Sequence, residues 1–354
     1  MNIVIRLMRD GEEATVNEVY NNAYGNIRPL ENFLWEFAQG PDGKAIYVLA
    51  EDIDKEGNRI IGTQAAIPLY LVSGEGKKIL TAKSEDTYVN PAYRGQKLFE
   101  RMYELLFDEC KKSGIHYIWG FTYARKPFLK LGFEIPFDTV QGVRVIRPIM
   151  AFRYLSSLNP TNNLFDKVKI LGACILSNIK RIWYNLLNRS TLDVSLSSEI
   201  VPNNIWKTNG SQYWNIDMTR EYIQWRIKDN PYRNSYTGFF KEGISSCIFN
   251  KRPEGFAYLE SLTFQKEMNR SERVKLMRKV LRRVDSEFSE TSLYRFWGFR
   301  NNLVTEAEIE LLNDSGFLFI PNKGTGFVWK ALDSNGPIKA ANLLLSRLFT
   351  QGNR

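Results

Sequence analysis

Residues 3–9 alternate between apolar and polar positions well enough to predict a first strand. An acidic turn follows, Asp10-Gly11-Glu12-Glu13, and acids at that place favour a helix start because they answer the positive end of the helix dipole. Val16, Val19, Tyr20 and Ala23 then recur at helical spacing, and a second short helix is predicted over 30–37, ended by Gly40-Pro41-Asp42-Gly43. Strands are predicted over 45–51, 60–72 and 78–89, joined by polar turns at 54–58 and 73–76. The clearest helix is 99–112, where Phe99, Met102, Tyr103, Leu106, Phe107 and Cys110 share one face. A strand over 117–121, a short helix over 125–130 and a strand after the turn Leu131-Gly132-Phe133-Glu134 complete the series. The order is β, α, α, three antiparallel strands, α, β, α, β. It predicts an α/β fold of the α+β mixed-sheet kind, with helices on both faces, within about 150 residues.

Residues 165–188 read as one helix in which aliphatic and aromatic residues are interleaved with Lys and Arg. Two placements fit, on a membrane surface or packed between domains, and the second is favoured. The Ser- and Asn-rich stretch 190–204 reads as a linker. Beyond it come a helix over 220–227, strands over 236–240, 243–249 and 255–264, and a helix over 271–288. A strand over 294–298, a helix over 306–314, a Ser315-Gly316-Phe317 turn and a strand over 326–332 follow. This run echoes 30–140 and reads as a diverged structural repeat. A short amphipathic helix is expected over 338–349. The implied boundaries are a first domain over 1–150, a helical connector and linker over 151–204, a second copy over 205–335 and a tail over 336–354.

Composition narrows the chemistry. The chain has 354 residues, 44% hydrophobic and 25% charged, which suits two folded domains and excludes a disordered chain or a collagen-like fibre. Cys110, Cys174 and Cys247 are odd in number and scattered, so neither a disulfide framework nor a zinc site is expected, and no metal is implied. His116 is the single histidine and sits in the apolar stretch 115–119, which removes two-histidine mechanisms and favours a packed or edge position. The N-terminus meets Arg6 too early for a secretory h-region, and Lys169, Lys180 and Arg181 interrupt the apolar stretch 168–187 too often for a bilayer span. A cytoplasmic location is therefore expected. The formal net charge is +9, unevenly placed: residues 1–150 hold 19 Lys and Arg against 20 Asp and Glu, residues 151–354 hold 29 against 19. Such asymmetry fits an anionic partner or a solubilising basic surface equally well.

The stretch 86–99 carries the most chemistry. A strand ends in Val89-Asn90-Pro91, a tight loop follows, and the long helix begins at once. The amides of Arg94, Gly95, Gln96, Lys97, Leu98 and Phe99 would lie unpaired at a helix N-terminus, a ready place for a phosphate or pyrophosphate. Gly95 would let the backbone approach the anion, and Arg94 and Lys97 add charge.

Val-Asn-Pro-x-Tyr-Arg-Gly-Gln-x-Leu-Phe at 89–99, followed by a helix, a strand and Pro-Phe-x-Lys-Leu-Gly-Phe-Glu at 127–134, resembles the GNAT acyltransferase family over about residues 1–140. The element order after 205 resembles a second, degenerate copy. The resemblance implies acetyl-CoA as co-substrate, entering a sheet splayed between strands 78–89 and 117–121. Its pantetheine arm would pair with the backbone at Thr87, Tyr88 and Val89, and its pyrophosphate would sit on the loop. An N–H near Tyr88 or Val89 would face the developing oxyanion, and Glu85 or Asp86 would take the acceptor proton. Two departures stand out. Lys97 and Phe99 replace small family residues in the loop. Phe128 stands where the family often places a tyrosine that protonates the leaving thiolate, so Tyr123 or solvent is the substitute. Because residues 263–270 lack glycine and an Arg-Gly pair, the second copy is not expected to bind CoA. The implied activity is N-acetyl transfer to a primary amine of a small molecule or amino sugar, by direct attack in a ternary complex. The alternatives are a Fem-like aminoacyl transferase using charged tRNA, for which the basic second half leaves room, and an inactive CoA-binding module. Nucleic acid is otherwise not expected as a partner, and a homodimer is allowed.

Overall fold

A computed structural model of the chain describes residues 2–25, 27–158, 161–186, 194–197, 213–232, 235–240, 244–264, 268–299, 303–320, 325–333, 336–345 and 347. Its contacts divide the chain into two units, each assembled from separate stretches. Unit 1 takes Met1–Pro136, Pro202–Tyr232 and Thr325–Leu343; unit 2 takes Phe137–Val201, Arg233–Gly324 and Leu344–Arg354.

In unit 1, alternate side chains of each strand serve two different helix layers. β1 (Ile3–Leu7), β2 (Ile46–Asp52), β3 (Ile60–Ser73), β4 (Lys78–Val89), β5 (Tyr117–Thr122) and β14 (Gly326–Ala331) lie side by side in that order. Every pairing is antiparallel except β4 with β5. Tyr47, Leu49, Ala65 and Ile67 face α1 (Glu13–Tyr24) and α2 (Leu30–Phe37), packing on Val16, Val19, Phe33 and Phe37. Val48, Ala50, Ala66 and Ala82 face the other way, against Leu98, Met102, Leu106 and Cys110 of α3 (Leu98–Lys112). Because helices cover both faces, β3 is buried along nearly its whole length. α4 (Arg125–Lys130) follows β5, and β8 (Trp214–Ile216) pairs with the far end of β3.

Unit 2 repeats the plan. β9 (Ser235–Phe240), β10 (Ile244–Lys251) and β11 (Phe256–Phe264) are antiparallel. α8 (Arg270–Glu287) then leads to β12 (Leu293–Phe299), parallel to β11, as α3 leads to β5. Beside β12 lies β6 (Glu134–Val145), antiparallel, where β14 lies beside β5 in unit 1. β7 (Ser195–Ser197) borders β9, and β13 (Leu318–Ile320) pairs with β6. One face carries α8 and α9 (Leu303–Asn313); the other carries α5 (Pro148–Ser157) and α6 (Leu164–Leu186), through Ala151 and Cys174 against Val143, Val145 and Leu293.

The units therefore exchange strands. The long strand after Phe133 leaves the first sheet for the second, and 326–331 returns to close the first. The sequence boundaries at 150, 205 and 335 fall inside this exchange, because strand pairing depends on distant partners that local pattern does not reveal. Helix 220–227 resolves into α7 (Arg220–Ile223) and a π turn over Gln224–Lys228, both in unit 1. Of the tail helix expected over 338–349, residues 338–345 show instead one 3₁₀ turn, Ala340–Asn342, and a bridge from Leu343 to Trp214; beyond them only Arg347, which is helical, lies among the described residues. Most of the linker 190–204 lies outside the described residues.

Candidate active site

The sheet of unit 1 opens where β4 leaves β5. Their pairing runs only from Thr81–Tyr117 to Lys83–Trp119, although both strands continue. Gly120 lies so close to Ser84 that a Cβ there would sit 3.1 Å from the Ser84 carbonyl oxygen, and beyond this point no ladder joins the strands. On its other side β4 stays paired to β3, but Thr63 faces Tyr88 while Ala65 faces Glu85. Gln64 alone opposes Asp86 and Thr87, so β4 carries a bulge, with Asp86 at φ +50. The bulge turns Asp86 inward and leaves Glu85 half-buried. Of the expected pantetheine edge, the Thr87 carbonyl already accepts from the Tyr24 hydroxyl at 2.9 Å.

The loop after β4 leads into a helix whose N-terminal amides are open. Asn90 caps a 3₁₀ turn, Pro91–Tyr93, by accepting from Ala92 N. Gly95 has φ +87, and Lys97 has φ +55, the left-handed conformation that the family's usual glycine adopts freely. The Lys97 substitution thus keeps the backbone path at the cost of local strain. The helix's first backbone bond is Arg101 N to Lys97 O, and the amides from Gly95 to Glu100 find no acceptor among the described residues. A Cβ added at Gly95 would meet no heavy atom within 4 Å, so the approach to these amides is open. Phe99 points away from the loop, onto Tyr103 and Phe128 at 4.8 and 5.3 Å between ring centroids.

A buried charge cluster lies under the bulge. Arg28 donates to both Asp86 oxygens, at 3.1 and 2.7 Å, and the Tyr47 hydroxyl donates to Oδ2 at 3.0 Å. Asn17 accepts from Arg28 Nε at 2.7 Å, and the guanidinium lies over the rings of Tyr20 and Phe33. Glu36 Oε2 stands 3.9 Å from Arg28, and Glu85 pairs with Lys83. Burial raises the Glu36 carboxyl to about 7, and the negative charges of Glu85 and Asp86 push the same way. Asn32, one turn before Glu36 on α2, has a buried Oδ1 without a hydrogen-bond partner among the described residues. Trp35 and Trp225 stack at 5.0 Å and exchange Nε1-to-carbonyl hydrogen bonds of 2.8 Å, which fixes α2 on the π turn. Tyr232 meets Trp35 edge-on. Trp225 and Tyr232 thus serve packing.

Two further groups bear on the site. Phe128 is buried among Tyr103, Phe99 and Phe133. Tyr103 shares a 2.7 Å hydrogen bond with Ser84 at the mouth of the opening, and Gln64 links Ser84 to Thr87. Tyr123 is 80% exposed at the end of β5. His116 pairs with Asp333 at 2.6 Å on the surface, and all three cysteines are buried and free. Among the described residues no cluster of His, Cys, Asp or Glu could hold a metal.

Sequence reading did not find Glu36, Arg28, Asn32 or Tyr103. Glu36 left one trace, an acid between Phe33 and Phe37 on the apolar side of a short helix.

Unit 2 offers a control. β11 also bulges, at Glu260, and this acid is buried against Arg347 and accepts from Asn250. Here, however, α8 closes its own N-terminus. Asn269 accepts from Glu272 N at 3.0 Å, and the Glu272 side chain accepts from Asn269 N at 2.9 Å, a capping box that occupies amides and places a carboxylate at the anion position.

Residues 4–135 match the family model described as an acetyltransferase (GNAT) domain. No curated protein matches the sequence. Among solved structures, a GCN5-related N-acetyltransferase from Anabaena variabilis aligns with a TM-score of 0.58 at 8% identity, over 94% of this chain and 73% of that one. A conserved Enterococcus faecalis V583 protein, described as a probable N-acyltransferase, gives 0.56 at 10% identity over 94% and 73%. A tandem GNAT protein from the clavulanic acid biosynthesis pathway gives 0.53 at 12% identity over 95% and 100%. Residues 4–135 thus match the model of a GNAT acetyltransferase domain, and the chain has the mixed α/β fold of tandem GNAT proteins.

Proposed function

We propose that the chain transfers an acetyl group from acetyl-CoA to a primary amine of a small molecule or amino sugar. The observation that carries this reading is the β4–β5 opening, which leads directly to the unpaired amides of Gly95 to Glu100. Those amides, with Arg94 and Lys97, hold the pyrophosphate, and the free edge of β4 at Tyr88 and Val89 holds the pantetheine arm. Bound acetyl-CoA supplies the activated thioester. An N–H of Tyr88 or Val89 faces the developing oxyanion.

The charge cluster supports an amine as acceptor. Among the described residues, the three acids Glu36, Glu85 and Asp86 form ion pairs with two cations, Arg28 and Lys83. The negative charge of Glu85 and Asp86 favours an incoming ammonium, and Asn32 Oδ1 is a waiting acceptor for its N–H. Asp86, held by Arg28 and Tyr47, positions the bulge. Glu36 and Glu85 take the acceptor proton, and a group near 7 suits that task. Tyr123 or solvent protonates the thiolate, which leaves readily because a free thiol has a pKa of about 8.5. The second unit, its helix N-terminus closed, does not bind CoA.

The test combines thermal shift with thiol release. Acetyl-CoA at about one hundred times its Kd should add about 2.7 kcal/mol of stability. Thiol should then appear with a panel of amines. Absence of stabilisation by both acetyl-CoA and CoA refutes the site; stabilisation by charged tRNA in their place favours aminoacyl transfer.

A further inference from the structure

α6 was expected to pack its apolar side between domains, but that side is exposed. At about 100° per residue, Phe165, Val168, Ile175, Ile179, Trp183 and Leu186 fall within about a third of the helix circumference, and all are exposed. Most of the large apolar side chains that the described residues leave exposed lie on α5, α6 and the turn between them.

Of the three charges that made the stretch look interrupted, Lys180 and Arg181 point inward and Lys169 lies at the edge, so none breaks this face. Lys180 donates to Asn313 Oδ1 and to the Phe317 carbonyl, and Arg181 pairs with Asp285. Both hold the helix on unit 2 from its inner side. The exposed charges at the rims are all cationic: Lys167 and Lys169 flank the apolar arc, Arg153 lies on the adjoining α5, and Arg147 directly precedes it. From 147 to 186 the only acid is Asp166.

We propose that α6 lies flat on an anionic lipid surface. A long apolar face with low overall hydropathy and a basic rim is the signature of an interfacial helix. No helix among the described residues is long and apolar enough to cross a membrane, so this one lies on the bilayer. Charge complementarity decides against a second copy as occupant. A two-fold contact through this face would bring cationic rims together with no acid to answer them, whereas anionic headgroups answer both rims.

The test is flotation of the full chain with phosphatidylcholine vesicles and with vesicles containing phosphatidylglycerol. The chain should float with the anionic vesicles at low salt, and partition into neutral ones on the order of tenfold less. The surface variant Val168→Asn/Ile179→Asn should lose flotation, and Lys167→Glu/Lys169→Glu should weaken it by on the order of tenfold or more. Far-UV circular dichroism should be unchanged in both. Equal flotation of these variants and the parent chain overturns the proposal. So does a lipid-free mass of two chains that Ile179→Asn reduces to one, because the face is then a self-interface. A monomer that floats with neither vesicle also overturns it.

Discussion

Glu36→Gln separates two consequences of one buried carboxyl. Burial beside Glu85 and Asp86 raises Glu36 from 4.5 to about 7. The folded chain therefore keeps this proton up to about 7, while the unfolded chain releases it near 4.5. Unfolded chains bind fewer protons across this window, so stability falls as pH rises through it and levels off above. A raised carboxyl of this size costs about 3 kcal/mol of stability once the pH exceeds both values. Glutamine has no proton to lose. The amide side chain keeps the volume and one acceptor, so the variant should match the parent at pH 4.5 and gain up to about 3 kcal/mol near pH 8, measured by urea unfolding. Activity should move the other way: kcat/KM falls by about 10²–10⁴-fold, and its acidic limb near 7 disappears. Parallel stability profiles for the two chains refute the placement of a perturbed carboxyl here. A gain in stability with an unchanged pH–rate profile leaves the electrostatics standing and assigns proton transfer to Glu85 alone.

Three further outcomes follow from the same geometry. Arg28→Ala leaves Asp86 buried without its cation and should cost about 3–5 kcal/mol in chemical denaturation, much of it recovered by adding Asp86→Asn. Lys97→Gly removes about 1 kcal/mol of left-handed strain but adds a similar freedom to the unfolded chain; stability should stay nearly constant while CoA affinity, by calorimetry, falls a few-fold through loss of the cation. Gly95→Ala and Gly95→Asp should share a stability loss from the positive φ, but only the aspartate variant places a carboxylate before the amides, so its CoA binding should drop much further. Equal affinities for the two loop variants would remove the loop from the site.

Local pattern carried the first unit well because its elements obey local rules. The strand 78–89 and the helices 30–37 and 125–130 match the observed bounds, since alternation and helical spacing need no distant partner. The loop into α3 was legible for the same reason: Gly95 and the start of α3 are neighbours in the chain. The charge cluster was not, because Arg28 meets Asp86 across 58 positions and Glu36 joins them only through the α2–sheet packing. The strand exchange was hidden in the same way. β6 reads as an ordinary strand, and nothing within it names β12 as its neighbour. The misplacement of α6 has a different origin. Lys180 and Arg181 count as interruptions in a linear reading, yet their side chains leave the apolar arc and bind inward.

Comparison of the two units isolates what makes one of them a candidate enzyme. Both contain a parallel strand pair that separates, β4 from β5 and β11 from β12. Both carry a bulge on the first strand of that pair, and in each the bulged acid is buried against an arginine, Asp86 with Arg28 and Glu260 with Arg347. The acid–arginine pair therefore belongs to the shared frame: a bulge aims one side chain inward, and a buried carboxylate requires a cation. The difference lies in the next turn. Gly95 and Lys97 take left-handed conformations and deliver open amides, whereas Asn269 and Glu272 bind the corresponding amides of α8 themselves. A capping box stabilises a helix by about 1 kcal/mol and cannot coexist with a phosphate on the same N–H groups. On the proposed reading, a capping box at this turn closes the helix N-terminus of unit 2 while its sheet keeps the shared plan, and competence for CoA rests on the few residues that join strand to helix.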